Sequence, residues 1–130
     1  MLRERAFGQF EGIKYEEWQT QLQQSLEERE SLTEEGKFHH KHAPDIESDE
    51  ETSTRMLTFI RQTAIAYPGQ KVLVVAHGGI MRATLAKLAF TMPQIPKVAT
   101  IQNVGYFILA SDGVEFELIE HEGLLENKRG

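Results

Sequence analysis

The residue best placed for chemistry is His77, which follows an apolar run at residues 72–76 and precedes Gly78 and Gly79. A β-branched run of this length, bounded by Lys71 and a glycine pair, predicts a strand buried on both faces. Apolar residues then recur at helical spacing, so the predicted order is strand, tight turn, helix. His77 would lie at the carboxyl end of a strand, where open α/β sheets bind their ligands.

The turn after His77 has the properties of an anion site. The first N–H groups of a helix have no partner within it, and the helix dipole places roughly half a positive charge there. Both features favour a bound phosphate. The alternative is a core histidine that happens to end a strand, and residues 71–90 alone leave both interpretations open.

Three further histidines, His39, His40 and His42, lie in the polar segment 31–47. Their spacing fits neither two ligands on one helix face nor a zinc finger, and the chain has no cysteine. We therefore expect neither a metal ion nor another cofactor. The segment is typical of a flexible loop, with Gly36 as a stop signal, of the kind that serves as a lid over a site.

One helix is predicted before this loop and one after it. Residues 15–30 carry an apolar stripe that includes Trp18, a residue more typical of a core than of a ligand platform. Residues 48–67 carry a second stripe, and Ser48 with Glu51 forms a capping box at its start. The acidic residues in this block therefore indicate the first turn of a helix and not a catalytic pair of carboxylates.

The C-terminal part is predicted to form a hairpin. Residues 105–110 and 114–118 are typical of strands, and residues 111–113 between them are typical of a turn. Apolar and charged residues alternate in the second strand, which indicates a sheet edge with its charges facing solvent. Residues 122–130 are expected to form a frayed polar tail.

Composition limits the kinds of partner. The 130 residues fit one domain, and the net charge of -6 argues against nucleic acid or an anionic membrane. No apolar run is long enough to cross a bilayer, and residues 1–10 lack the apolar core of a secretory signal. Without cysteine there are no disulfides or zinc-thiolate sites, and the cytoplasm is the default compartment.

Three separated motifs need one explanation: L-R-E-R at residues 2–5, Glu47-Ser48 with Arg55, and A-H-G-G at residues 76–79. Together, along nearly the whole chain, they resemble the histidine phosphatase superfamily, which includes the cofactor-dependent phosphoglycerate mutases. The resemblance implies an α/β fold, a three-layer sandwich with helices on both faces of a mostly parallel sheet. This chain would lack the first strand and helix of that fold.

The resemblance also implies roles for individual residues. Glu4 would protonate the leaving oxygen and later activate water, which requires a carboxyl group whose pKa nearby phosphate charge raises. His77, Gly78 and Gly79 would bind the phosphoryl group, whose transfer requires concentrated positive charge around its oxygens.

Three further residues match positions of the family. Arg5 and Asn103 would line the substrate pocket. Arg5 and Arg55 also match motif positions, but an arginine that only holds a carboxylate through a bidentate pair is the alternative for both.

The departures from the family are also informative. Its nucleophilic histidine belongs to an R-H-G motif, and no such triplet occurs in these 130 residues. We therefore interpret residues 1–130 as a single incomplete domain, the C-terminal part of the fold, and expect little activity from it alone. In the family the missing strand lies beside the one that ends at His77. Either another chain fills that space, the elements rearrange, or the isolated chain is marginal.

The remaining differences favour a phosphatase over a mutase. Phe7 stands where the mutases have tyrosine, residues 33–44 lack their arginine pair, and Gly79 replaces their asparagine. The predicted function is a phosphomonoesterase that acts through a phosphohistidine on a small phosphorylated substrate and releases inorganic phosphate. The alternatives are a truncated, non-catalytic relative that binds phosphorylated ligands or partner chains, and a homodimer that exchanges elements to rebuild the sheet.

Overall fold

Four helices and two strands make up the described part of the chain, which in this computed structural model is residue 17 and residues 20–42 and 46–126. They are α1 (Gln23–Glu30), α2 (Glu34–His39), α3 (Asp49–Ala66), α4 (Gly78–Ala89), β1 (Val98–Ser111) and β2 (Phe116–Glu126). The predicted α/β class is confirmed. Within the described ranges, however, the sheet has two antiparallel strands and not the mostly parallel arrangement expected. None of the described helices is both long and apolar enough to span a bilayer.

Helix α3 begins as the sequence predicts. The hydroxyl of Ser48 accepts a hydrogen bond from the backbone N–H of Glu51 at 3.1 Å, and the Glu51 carboxylate accepts one from the backbone N–H of Ser48 at 3.4 Å. This reciprocal pair confirms the capping box. The ammonium of Lys41 lies 2.8 Å from the same carboxylate and holds the pKa of Glu51 below its usual value.

The core lies between the two long helices and one face of the hairpin. Its fully buried members are Leu57 of α3, Leu85 and Leu88 of α4, and Ile95 of the loop that follows. Burial of each such side chain contributes about 1.5–3 kcal/mol. Half-buried residues of the inner sheet face complete this core: Phe107, Leu109, Phe116 and Leu118.

The other face of the hairpin is exposed in the described structure. Tyr106 and Ile108 of β1 and Ile119 of β2 are solvent-accessible. The described helices therefore cover one face of the sheet, whereas helices on both faces were expected.

The segment 31–47 is more ordered than its composition indicates. Residues 34–39 form α2, whose N-cap Thr33 accepts a hydrogen bond from the backbone N–H of Gly36 at 3.1 Å. Gly36 therefore lies inside a helix, and the prediction of a loop with Gly36 as a stop signal is wrong for these residues. Six residues are too few to show helical periodicity, which explains the error. The role of the segment as a lid stays a prediction.

The expected inner strand at residues 72–76 is not formed in the described structure. Residues 71–77 belong to no helix or strand, and Leu73 and Val75 are 89% and 79% exposed. A strand of this kind needs neighbouring strands for its backbone and covering side chains for both faces. No described strand pairs with this segment, so the prediction of a doubly buried strand is not confirmed. Trp18 and its expected core position lie outside the described residues.

The predicted hairpin is confirmed, and it is longer than expected. Between its strands, the carboxylate of Asp112 accepts hydrogen bonds from the backbone N–H groups of Val114 at 2.9 Å and Glu115 at 2.8 Å, which lower the pKa of Asp112. Gly113 has φ 95°, and a Cβ there would lie 2.7 Å from Ile65 of α3. Residues 122–126 belong to β2, so the frayed tail predicted from residue 122 is wrong up to residue 126.

The hairpin contains a large bulge in β1. Ile101 pairs with Leu124 and Tyr106 pairs with Glu122, so residues 102–105 of β1 stand opposite Gly123 alone. Gly123 has φ 76°, and Val104 has φ 58° with a fully exposed side chain. A β-branched residue in the left-handed region is a backbone outlier, and such strain is concentrated at functional sites.

Ser48→Ala should lower the free energy of unfolding by about 1 kcal/mol, because it removes the hydroxyl that caps α3. The matched control is Thr54→Ala at an exposed position inside α3, where alanine should be neutral or slightly stabilising. Urea denaturation of the two variants measures the difference. Equal effects of both substitutions would contradict the importance of the cap.

Val104→Asn should raise the free energy of unfolding by about 1 kcal/mol, because asparagine tolerates the left-handed conformation that valine resists. Val114→Asn is the control, since Val114 is also exposed, lies outside the strands and has no positive φ. It should change stability by less than about 0.5 kcal/mol. A destabilised Val104→Asn variant in chemical denaturation would show that the bulge does not strain Val104.

Candidate functional site

His77 is the N-cap of α4. Its backbone is extended, with φ -111° and ψ 154°, and its carbonyl accepts the first hydrogen bond of the helix from the N–H of Met81 at 3.1 Å. The side chain makes no capping hydrogen bond, and the residue is exposed. The imidazole is therefore available to a ligand at the point where the helix begins.

The surroundings of this helix start favour an anion. Gly78 and Gly79 open α4, and its first turn has no acidic residue that would compete with a ligand for the positive end of the dipole. A Cβ on Gly78 would lie 3.9 Å from the carbonyl oxygen of Ile101. The start of α4 is therefore packed against β1 beside the bulge.

Asn103 lies in the bulge of β1. Asn103 is exposed and lies two residues after Ile101, whose backbone approaches Gly78. Bulges are common next to active sites, where they redirect a side chain. The structure brings the backbone of Ile101 close to Gly78, and a pocket shared by Asn103 and His77 stays a prediction.

A buried ion-pair group fixes the position of α4. The carboxylate of Asp49, at the start of α3, is 5% exposed and lies 3.0 Å from the guanidinium of Arg82 in α4 and 3.5 Å from that of Arg29 in α1. From the sequence, Asp49 is expected only to complement the dipole of α3. Arg29 and Arg82 are 20 and 33 residues away from Asp49 in the sequence. No local sequence pattern predicts contacts between residues so far apart.

Arg55 holds Glu47 through two hydrogen bonds. Its Nε donates to Oε2 at 3.3 Å and its terminal nitrogen donates to Oε1 at 3.2 Å. Both side chains are largely buried, at 17% and 13% exposure. The geometry agrees with the structural alternative for Arg55, a bidentate pair with a carboxylate.

The three neighbouring histidines have different partners. His40 Nε2 and His42 Nδ1 lie 2.9 Å and 2.8 Å from the hydroxyl of Ser25, whereas His39 Nδ1 lies 2.8 Å from the carboxylate of Glu50. Across the described ranges, no group of three or more histidine, aspartate or glutamate side chains could hold a metal ion. In the described structure these histidines therefore have hydrogen-bonding roles.

Two of the predicted site residues, Glu4 and Arg5, lie outside the described residues. The structure therefore leaves their proximity to His77 as a prediction.

Almost the entire sequence matches a known protein family. A family model of the histidine phosphatase superfamily, branch 1, matches residues 1–122. No curated protein and no solved structure matches the chain. The motif at residues 76–79 begins a helix in the structure, and it falls within the matched range. On this evidence the chain is a member of the histidine phosphatase superfamily.

Proposed function

We propose that the chain supplies the phosphate-binding histidine and the proton donor of a phosphomonoesterase that works through a phosphohistidine. The observation that carries this proposal is the exposed imidazole of His77 at a helix start without acidic residues, in a member of this superfamily. The substrate class is a small phosphorylated molecule. Inorganic phosphate is the product and the simplest ligand.

The proposed chemistry has two steps. A nucleophilic histidine attacks the phosphorus, the bond to the leaving oxygen breaks, and Glu4 gives that oxygen its proton. Glu4 then takes a proton from water, the water oxygen attacks the phosphorus, and the bond from phosphorus to nitrogen breaks. His77 and the start of α4 stabilise the charge on the non-reacting oxygens in both steps.

The proposed nucleophile is not among these residues, since the sequence contains no R-H-G triplet. We therefore propose that the 130 residues alone turn over substrate poorly. The same absence favours a second candidate function, a non-catalytic relative that binds phosphorylated ligands or partner chains through His77.

The fold is proposed to be the three-layer sandwich of the family, with residues 72–76 as an inner strand. Their β-branched sequence supports this proposal, as do the exposed side chains of Leu73 and Val75 and the exposed outer face of the hairpin. A second copy of the chain is one source of the neighbouring strand, and equilibrium sedimentation that finds only monomer would exclude that source.

His77→Gln should weaken binding of inorganic phosphate by about tenfold or more, because a flexible neutral amide replaces the imidazole ring that would donate to the charged ligand. The control is His121→Gln, at an exposed position on β2, which should leave binding unchanged. Titration followed by ¹H–¹⁵N NMR measures both affinities and shows whether residues 78–81 respond. Equal affinities of wild type and His77→Gln would contradict the phosphate site.

Hydrolysis of p-nitrophenyl phosphate separates the two candidate functions. We expect turnover by the chain alone to be close to the uncatalysed rate, because the family nucleophile is missing. If the chain is part of a phosphatase, addition of a segment that carries an R-H-G motif should restore turnover. If the chain is a non-catalytic relative, the same addition should give phosphate binding without turnover. Robust turnover by the chain alone, unaffected by every histidine substitution, would contradict the phosphohistidine mechanism.

A further inference from the structure

We infer that a pocket at the opposite end of α4 binds an organic monoanion with an aromatic or branched apolar body. The pocket lies between α2, α3, the last turn of α4 and the hairpin turn, and its volume is about 750 Å³. This is the size of clefts that hold small organic ligands. Lys87 is the ninth residue after Gly78, which places the pocket about 13.5 Å along the helix from the proposed phosphate site.

The floor and mouth of the pocket are apolar. Phe38, Leu57 and Leu88 line it and are almost fully buried, at 5%, 2% and 5% exposure. Phe90 and Val114 also line it and are 51% and 75% exposed. An apolar ligand body would contact Phe38, Leu57 and Leu88 and would shield Phe90 and Val114 from water. The free energy of binding becomes more favourable with the apolar area that is removed from water.

Two cationic side chains line the pocket, and each lies over an aromatic ring. The guanidinium of Arg61 lies 4.9 Å from the centre of the Phe116 ring, and the ammonium of Lys87 lies 5.6 Å from that of Phe38. These contacts hold both cations in place without neutralising their charge, since an aromatic ring carries no net charge.

Arg61 differs from the other arginines that the structure describes. Arg29, Arg55 and Arg82 each have a carboxylate within 4.0 Å, whereas neither Arg61 nor Lys87 has one in the described ranges. A guanidinium is a rigid fork suited to bidentate binding of a carboxylate or sulfonate. A guanidinium and an ammonium that have no carboxylate partner among the described residues therefore indicate an anionic ligand in this cleft.

The carboxylates of the pocket limit the ligand to a single charge. Glu50 is paired with His39 at 2.8 Å, but Glu35 and Glu115 also line the pocket without a cationic partner in the described ranges. Both carboxylates are exposed, as Arg61 is, so solvent screens all three charges. Lys87 is half-buried, and solvent screens its attraction for a ligand less. A multiply charged anion would meet more of this repulsion than a sulfonate or carboxylate.

The test uses naphthalene-1-sulfonate, with naphthalene-1-methanol as the neutral analogue and 1-naphthylmethylammonium as the cationic one. Isothermal titration calorimetry should give an affinity for the sulfonate about tenfold or more above that for either analogue, the difference expected of charge-assisted hydrogen bonds. The NMR signals that move should be those of Lys87 and Phe116 and their neighbours.

Variants assign the binding to the two cations. Arg61→Gln and Lys87→Gln should each weaken sulfonate binding by about tenfold. Lys97→Gln, at an exposed lysine outside the pocket, is the control for lost charge and should leave binding unchanged. His77→Gln should also leave it unchanged, so failure of the phosphate site and failure of this pocket are distinguishable. Thermal unfolding of each variant shows that the fold is kept.

Three results would overturn the inference. The first is equal binding of the sulfonate and the neutral analogue, which would mean that the cations do not contribute. The second is tighter binding of the cationic analogue, which would mean that Glu35 and Glu115 determine the charge preference. The third is the absence of sulfonate binding up to about 10 mM, tenfold above the dissociation constant of a weak millimolar ligand.

Discussion

Asp49 places a carboxylate of 5% exposure between the guanidinium groups of Arg29 and Arg82. An ionised carboxylate that leaves water loses several kcal/mol of hydration, and only well-placed partners offset this loss. The two partners come from α1 and α4, whereas Asp49 itself begins α3. One buried charge therefore requires that three helices keep their relative positions.

This constraint also restrains the helix start at which we propose the phosphate site. Arg82 lies five residues after His77, so its bond to Asp49 restrains the beginning of α4 more directly than the apolar contacts of Leu85 and Leu88 further along the helix. Loss of one partner of a buried pair typically costs about 3–5 kcal/mol. Here the arginines are about a quarter exposed, which favours the lower end of that range. This is still large against a typical stability of about 5–15 kcal/mol.

The sequence predicts the features of this fold whose causes lie within a few residues. The capping box needs only Ser48 and Glu51, and the hairpin turn needs only Asp112 and Gly113, so both are recognisable locally. The start of α4 after His77 is of the same kind. The bond between Asp49 and Arg82 depends on how α3 and α4 pack, and the bulge at residues 102–105 depends on pairing with Gly123. Neither has a local signal. The strand predicted at residues 72–76 is not formed for a related reason, because a strand with two buried faces exists only where neighbouring strands exist.

The two proposed anion sites lie at opposite ends of one helix, and the physics of the two ends differs. At its N-terminus α4 has the positive end of its dipole, so the proposed attraction for phosphate is shared between the helix dipole and His77. At its C-terminus the dipole end is negative and repels an anion. Lys87 in the last turn is itself stabilised by that dipole, and it must act with Arg61 of α3 to reverse the local potential. Affinity at the N-terminus should therefore partly survive loss of any one side chain, whereas affinity at the C-terminus should depend on both cations together.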